Sequence, residues 1–157
     1  MEIKYHTMMF KTHLMFGILL GLLFITNFDI PYQILFMLSV SFFAILPDID
    51  FHKSKIGQKI KPISWLINFL IGHRALFHSL LIALFFYFTM FLFFGGIFGA
   101  AALLGYFSHL FLDGFNTMGI RPLYPFKPQI SGIIRSNGVL DYLLFFIFLG
   151  GSLYLII

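Results

Sequence analysis

The chain has 157 residues, 60% hydrophobic and 10% charged, with 24 Phe and a net charge of +4. Soluble domains are nearer half apolar and a quarter charged, so an ordinary soluble domain is excluded and the sequence reads as an all-α integral membrane bundle, one domain over 1–157. It contains no Cys, which excludes disulfides and thiolate ligands; any metal must be held by His, Asp, Glu, backbone carbonyls or water.

Residues 1–12 form a polar, basic cytoplasmic segment with Lys4 and Lys11, in which Met8-Met9 offers an alternative start. The first apolar run is His13–Phe28. It lacks a small-x-small cleavage site and continues past Asn27 and Asp29, which argues against a cleaved signal peptide. Gly17 and Gly21 stand in glycine-x-x-x-glycine spacing, which lets another helix approach closely. A turn at Asn27–Pro31 leads to the second run, Tyr32–Leu46, which ends in Pro47-Asp48-Ile49-Asp50.

A polar loop with four lysines spans Phe51–Pro62. Ile63–Ile71 is apolar but short of the roughly 20 residues a span needs, so it reads as an interfacial helix with Trp65 at headgroup level. The third span opens around His73-Arg74 and His78-Ser79 and runs to Phe94, with a turn at Gly95-Gly96. The fourth is Ile97–Leu112. The Gly- and Pro-rich stretch 114–137 is a cytoplasmic loop long enough to suspect a functional lid, and the last span is Gly138–Ile157. The expected architecture is therefore about five transmembrane helices plus one short interfacial helix.

Five spans place the N-terminus, 51–74 and 114–137 on one side, and all ten Lys and Arg fall there. The positive-inside rule then puts the N-terminus in the cytoplasm and the C-terminus outside, as in a multi-pass inner-membrane protein. With that topology the polar residues converge. His13 begins span one, Asp48 and Asp50 end span two, His73 and His78 flank the start of span three, and His109 and Asp113 end span four, all at the cytoplasmic end. His109 and Asp113 are four residues apart and share a helix face. His73 and His78, five apart, do not, so one of them precedes the helix proper. Buried carboxylates and imidazoles need partners. A multi-metal site answers that need, and a purely structural polar network is the alternative. His and Asp without Cys suit zinc, with manganese or iron(II) next. Two or more ions sharing a carboxylate would use the seven ligands more fully than one tetrahedral zinc. Arg74 beside His73 suits a phosphate, and Asp50 or Asp48 could serve as general base. His6 and His52 read as solvated. Asp29 and Asp141 receive no ligand role, Asp141 being at most a supporting group.

Four ordered motifs resemble a known family. They are Thr12-His13 with Gly17; Leu46-Pro47-Asp48-Ile49-Asp50 with Ser54-x-Ile56-Gly57; His73-Arg74-x-x-x-His78-Ser79-Leu80; and Gly105-Tyr106-x-Ser108-His109-x-x-x-Asp113 with Thr117-x-Gly119 and Leu123-x-Pro125-Phe126. In this order they resemble the YdjM-type inner-membrane proteins, described as LexA-regulated, membrane-bound, metal-dependent hydrolases. The resemblance covers roughly residues 8–127. It implies kinship with zinc-dependent phospholipase C and the related single-strand nucleases, hence a multi-zinc site cleaving phosphoesters. It also implies His13, Asp48, Asp50, His73, His78, His109 and Asp113 as ligands. Phe51 stands where the family often has His, and Ala75 and Phe77 where it usually has Gly and Thr.

The expected activity is hydrolysis of a membrane-lipid phosphoester, with no nucleic acid as partner. Hydrolysis of an acyl ester or amide in a lipid or lipoprotein is the first rival. A transport or remodelling role is the second, and transport would require polar residues continuing toward the outer side.

Overall fold

In a bilayer every backbone N–H and C=O must find its partner within the protein, so long apolar stretches fold as helices and break at Gly and Pro. The computed structural model obeys that logic, and its described residues are 10–50 and 76–157, the side chains of Ile49 and Asp50 excepted. The expected loop Phe51–Pro62, the interfacial helix Ile63–Ile71, His73 and Arg74 lie outside the described residues.

Five helices are present among the described residues: α1 (Phe10–Asn27), α2 (Gln33–Ile45), α3 (Leu80–Phe94), α4 (Gly96–Gly114) and α5 (Val139–Ile156). Three of them, α1, α4 and α5, are long and apolar enough to cross a membrane, at 18 or 19 residues. At 1.5 Å per residue they reach about 27 Å, close to the roughly 30 Å hydrocarbon core. The stretches Gln33–Asp48 and Leu80–Phe94 are shorter apolar helices. α2 ends at Ile45 because Pro47 has no N–H to donate back along the helix, although Leu46 before it keeps α-helical dihedrals (φ −61°, ψ −39°). The chain tightens into a 3-10 turn over Leu46–Asp50, around Pro47.

The third helix starts later than expected, at Leu80 rather than near His73. Ser79 is extended (φ −123°), and both its N–H and its hydroxyl turn back to donate to the Leu76 carbonyl. The N–H of Leu80 donates to the Pro122 carbonyl in the 114–137 stretch (2.8 Å). α3 and α4 are joined by Gly95 alone, whose φ of +91° favours glycine, as the Gly95-Gly96 turn requires.

α4 is the hub, packed against α1, α2 and α3, while α5 packs on α1. Close approach is built from small residues. A β-carbon on Gly105 would lie 2.3 Å from the Val40 carbonyl oxygen, and one on Gly17 would lie 2.6 Å from Ala44 Cβ. One on Gly21 would meet Met37 Sδ at 2.6 Å. The Gly17/Gly21 face of α1 therefore seats α2 of the same chain. Large apolar side chains such as Phe85, Phe88, Leu92, Phe146 and Ile147 are exposed, as a lipid-facing surface demands.

The stretch after α4 is ordered by its own backbone. Asn116 pairs with Ile134 and Ile120 with Ile130 as isolated bridges; no strand forms among the described residues. Buried Asn116 fixes the loop, donating from Nδ2 to Ser136 Oγ (2.8 Å) and accepting the Met118 N–H on Oδ1 (3.0 Å).

Candidate metal centre

Five of the residues singled out in the sequence meet at one end of the bundle. His13 comes from the first turn of α1, Asp48 from the 3-10 turn after α2, and His78 from the turn before α3. His109 and Asp113 come from the end of α4. Helix periodicity puts the last two on one face, and the ends of α1, α2 and α4 converge because glycines let them. All five are buried, none more than 2% exposed.

Their spacing is informative. Asp113 Oδ1 lies 3.4 Å from His13 Nε2, and Asp113 Oδ2 lies 3.3 Å from His78 Nε2. His109 Nε2 is 3.7 Å from Asp113 Oδ2 and 3.9 Å from Asp48 Oδ1. N–H···O hydrogen bonds favour roughly 2.7–3.2 Å. Ligands bound at about 2.1 Å in tetrahedral geometry stand about 3.4 Å from one another. The donor atoms are thus spaced like ligands around a common ion. Both nitrogens of His13 and Nε2 of His109 are buried without a hydrogen-bond partner among the described residues. Orphaned imidazole nitrogens in an apolar bundle are costly, and a divalent metal would satisfy the Nε2 atoms of His13 and His109 that face Asp113. The residues present fit such an ion.

Two groups of donors meet the requirement, His13/His109/Asp113 and Asp48/His78/His109, with one atom from each residue within 4.8 Å of the others. His109 belongs to both. Its Nδ1 lies 2.8 Å from the Ala44 carbonyl oxygen. A carbonyl only accepts, so Nδ1 carries the proton and Nε2 presents its lone pair to the cluster. One lone pair serves one ion. Asp113 is different: its two oxygens face different imidazoles, His13 and His78, so its carboxylate has the reach to be shared.

Three further contacts hold the donors in place. Thr12 Oγ1, beside His13, donates to Asp141 Oδ1 (2.7 Å) at the start of α5. Asp141 Oδ2 accepts the Asn137 N–H (2.9 Å), so a buried carboxylate ties α1, α5 and the preceding loop together. Tyr106 donates its hydroxyl to the Phe77 carbonyl (2.5 Å), anchoring the turn that carries His78. His13 and His109 also stack face to face, with ring centroids 3.9 Å apart and planes 14° apart.

A family model described as YdjM inner membrane protein matches residues 8–156, which include every donor named above. The chain belongs to the YdjM family. It is similar to the uncharacterized protein YvsG of Bacillus subtilis (strain 168), 34% identical over 118 residues, covering 73% of this chain and 72% of YvsG. It is also similar to the inner membrane protein YdjM of Escherichia coli (strain K12), 40% identical over 88 residues, covering 52% of this chain and 45% of that protein. The YdjM protein of Shigella flexneri matches to the same extent. The alignment thus spans less than half the length of those two YdjM proteins. No solved structure matches.

Of the residues expected at the site of this YdjM-family chain, His13, Asp48, His78, His109 and Asp113 are brought together. His73 and Arg74 lie outside the described residues, as does the side chain of Asp50, whose backbone closes the 3-10 turn. Sequence reasoning missed the role of Ala44, which acts through its carbonyl and leaves no side-chain signal. It also missed the Thr12–Asp141 tie, for which the only signal was a carboxylate early in an apolar span.

Proposed function

We propose that this protein is a membrane-bound, metal-dependent hydrolase that cleaves a phosphoester of a membrane lipid, with its centre at the cytoplasmic interface. The observation that carries the reading is the set of His13, Asp48, His78, His109 and Asp113, buried at ligand-to-ligand spacing at the end of a membrane bundle. A His/Asp set without Cys favours zinc, then manganese or iron(II). Two ions would use the donors better than one, because His109 could serve only one of them while the two Asp113 oxygens face different imidazoles. Divalent ions bound there supply Lewis acidity to a phosphoryl oxygen and lower the pKa of water.

The chain's own residues do the rest. Ala44 holds the His109 ring in the tautomer a ligand needs. Tyr106 and the Thr12–Asp141 pair fix His78 and α1 before substrate arrives. Burial keeps bulk water from the donors, which strengthens every charge interaction among them. Arg74, adjacent to His73 in sequence, is assigned to the substrate phosphate, and Asp50 to the general base.

A lipid is favoured as substrate over nucleic acid because the donors sit at the end of membrane helices whose outer faces are apolar. The described cations Lys11, Arg121, Lys127 and Arg135 lie at the same end of the bundle, which the positive-inside rule accounts for. Transport is disfavoured because the helix interfaces beyond the donors close tightly on Gly17, Val40, Ala101 and Gly105. Hydrolysis of an acyl ester or amide would use the same donors and is separated by its product.

The test is metal content in detergent by inductively coupled plasma mass spectrometry, beside the His109→Ala/Asp113→Ala variant. The expected result is zinc or manganese in the native protein, lost in the variant, with release of a phosphorylated headgroup from vesicles by the loaded protein. Folded protein that takes up no metal sinks the reading, and free fatty acid as the product would convert it to an acyl hydrolase.

A further inference from the structure

Beside the donor cluster lies a groove of about 490 Å³ that the hydrolytic reading has not used. Its floor is one face of α4: Phe107, Leu110, Phe111, Gly114 and Phe115. These positions have the helical i, i+3, i+4, i+7, i+8 pattern. From Phe107 to Phe115 the floor runs about 12 Å along the helix axis. Its roof is the ordered stretch after α4, through Pro122, Leu123 and Ile130, and Leu80 closes one edge. Every lining residue is apolar.

We propose that this groove binds one acyl chain of a membrane phospholipid. Three observations select that occupant. First, the groove runs along a helix long enough to cross the membrane, so its axis has the direction of lipid chains and not that of a peptide lying on the surface. Second, no side chain lining it donates or accepts a hydrogen bond, as a hydrocarbon requires and a polar ligand does not. Third, it is continuous with the lipid-facing surface, since Phe107, Phe111 and Phe115 are each nearly half exposed.

The floor of the groove also spans the depth of the donors on α4. Leu110 is next to His109 and Gly114 next to Asp113, each about 100° further round the helix. A chain lying on this floor brings its ester and phosphate to the level of Asp113. The proposal deepens the lipid-hydrolase reading and rests on it for the identity of the headgroup's fate, but not for the binding itself.

Gly114 makes the test clean. A β-carbon there would meet only Ile130 Cγ2, at 3.9 Å, an ordinary contact. Gly114→Leu therefore fills the groove without forcing α4 apart, and Ile130→Phe fills it from the roof. The protein is placed in vesicles of phosphatidylethanolamine and phosphatidylglycerol containing a trace of phosphatidylethanolamine with a diazirine in one acyl chain. After irradiation, adducts are mapped by peptide mass spectrometry. Adducts should concentrate on 107–123, above the level on the more exposed face of Phe85, Phe88 and Leu92. Both filling variants should reduce them about tenfold, the loss expected when roughly two methylenes can no longer be buried. Adducts spread in proportion to exposed area, or unchanged in both variants, overturn the groove. The same mapping on His109→Ala/Asp113→Ala separates the two proposals. Enrichment that persists there, with no lipid cleaved by the metal-loaded native protein, leaves the acyl site standing and removes the hydrolase. Cleavage without enrichment does the reverse.

Discussion

At the scale of single residues, the centre depends on contacts that are not themselves donors. Asp141 takes the Thr12 hydroxyl and the Asn137 N–H, so Asp141→Ala leaves the buried Thr12 hydroxyl without this acceptor and frees the Asn137 N–H. It should destabilise the fold by about 1–3 kcal/mol and weaken metal binding about 10- to 100-fold without abolishing it. Competition with a chromophoric chelator measures the second effect, and an unchanged affinity would show that α1 is held by other means. The pairing of His109 with Asp113 was legible in the sequence because four-residue spacing on a helix forces a shared face. The Ala44 contact was not, because a carbonyl oxygen is present at every position and only the fold decides which one meets His109. Nor was the Thr12–Asp141 bond, whose partners are 129 residues apart.

At the scale of elements, the glycines of α1 and α4 set how near α2 can come. Gly105→Ala puts a β-carbon 2.3 Å from the Val40 carbonyl oxygen, against rigid backbone. It should cost about 1–3 kcal/mol as α2 and α4 are pushed apart, and with them Ala44 and His109. Gly150→Ala, on α5, meets nothing within 4 Å and should leave the melting temperature unchanged or higher. Thermal unfolding of the two variants in detergent checks the contrast, and equal losses would mean that helix flexibility matters more than approach distance. All five helices were visible as apolar runs, with ends correct to within about three residues except at the start of α3. There the sequence Ala75-Leu76-Phe77 looks as helical as Leu80-Leu81-Ile82. The helix is stopped by the Ser79 hydrogen bonds and the Pro122 carbonyl, which come from the fold and from a loop some forty residues further along the chain.

At the scale of the whole molecule, metal and fold should be linked. An ion that binds the assembled donors and not the unfolded chain stabilises by mass action. Adding a chelator should therefore lower the melting temperature of the native protein and leave His109→Ala/Asp113→Ala unchanged; equal shifts in both would make the effect nonspecific. Orientation is testable with unusual ease because the chain has no cysteine. Lys127→Cys should react with a membrane-impermeant maleimide only after cells are opened, and Asp29→Cys should react in intact cells; the reverse pattern would invert the proposed topology. One last consequence concerns time. His13 and Asp113, which face each other across 3.4 Å, are 113 − 13 = 100 residues apart in the chain. At ribosomal rates of about 5–20 residues per second, His13 is made some 5–20 s before its partner. During that interval His13 has no Asp113 to meet it, so the donor cluster is complete only when α4 arrives, and any metal would be loaded late in the protein's biogenesis.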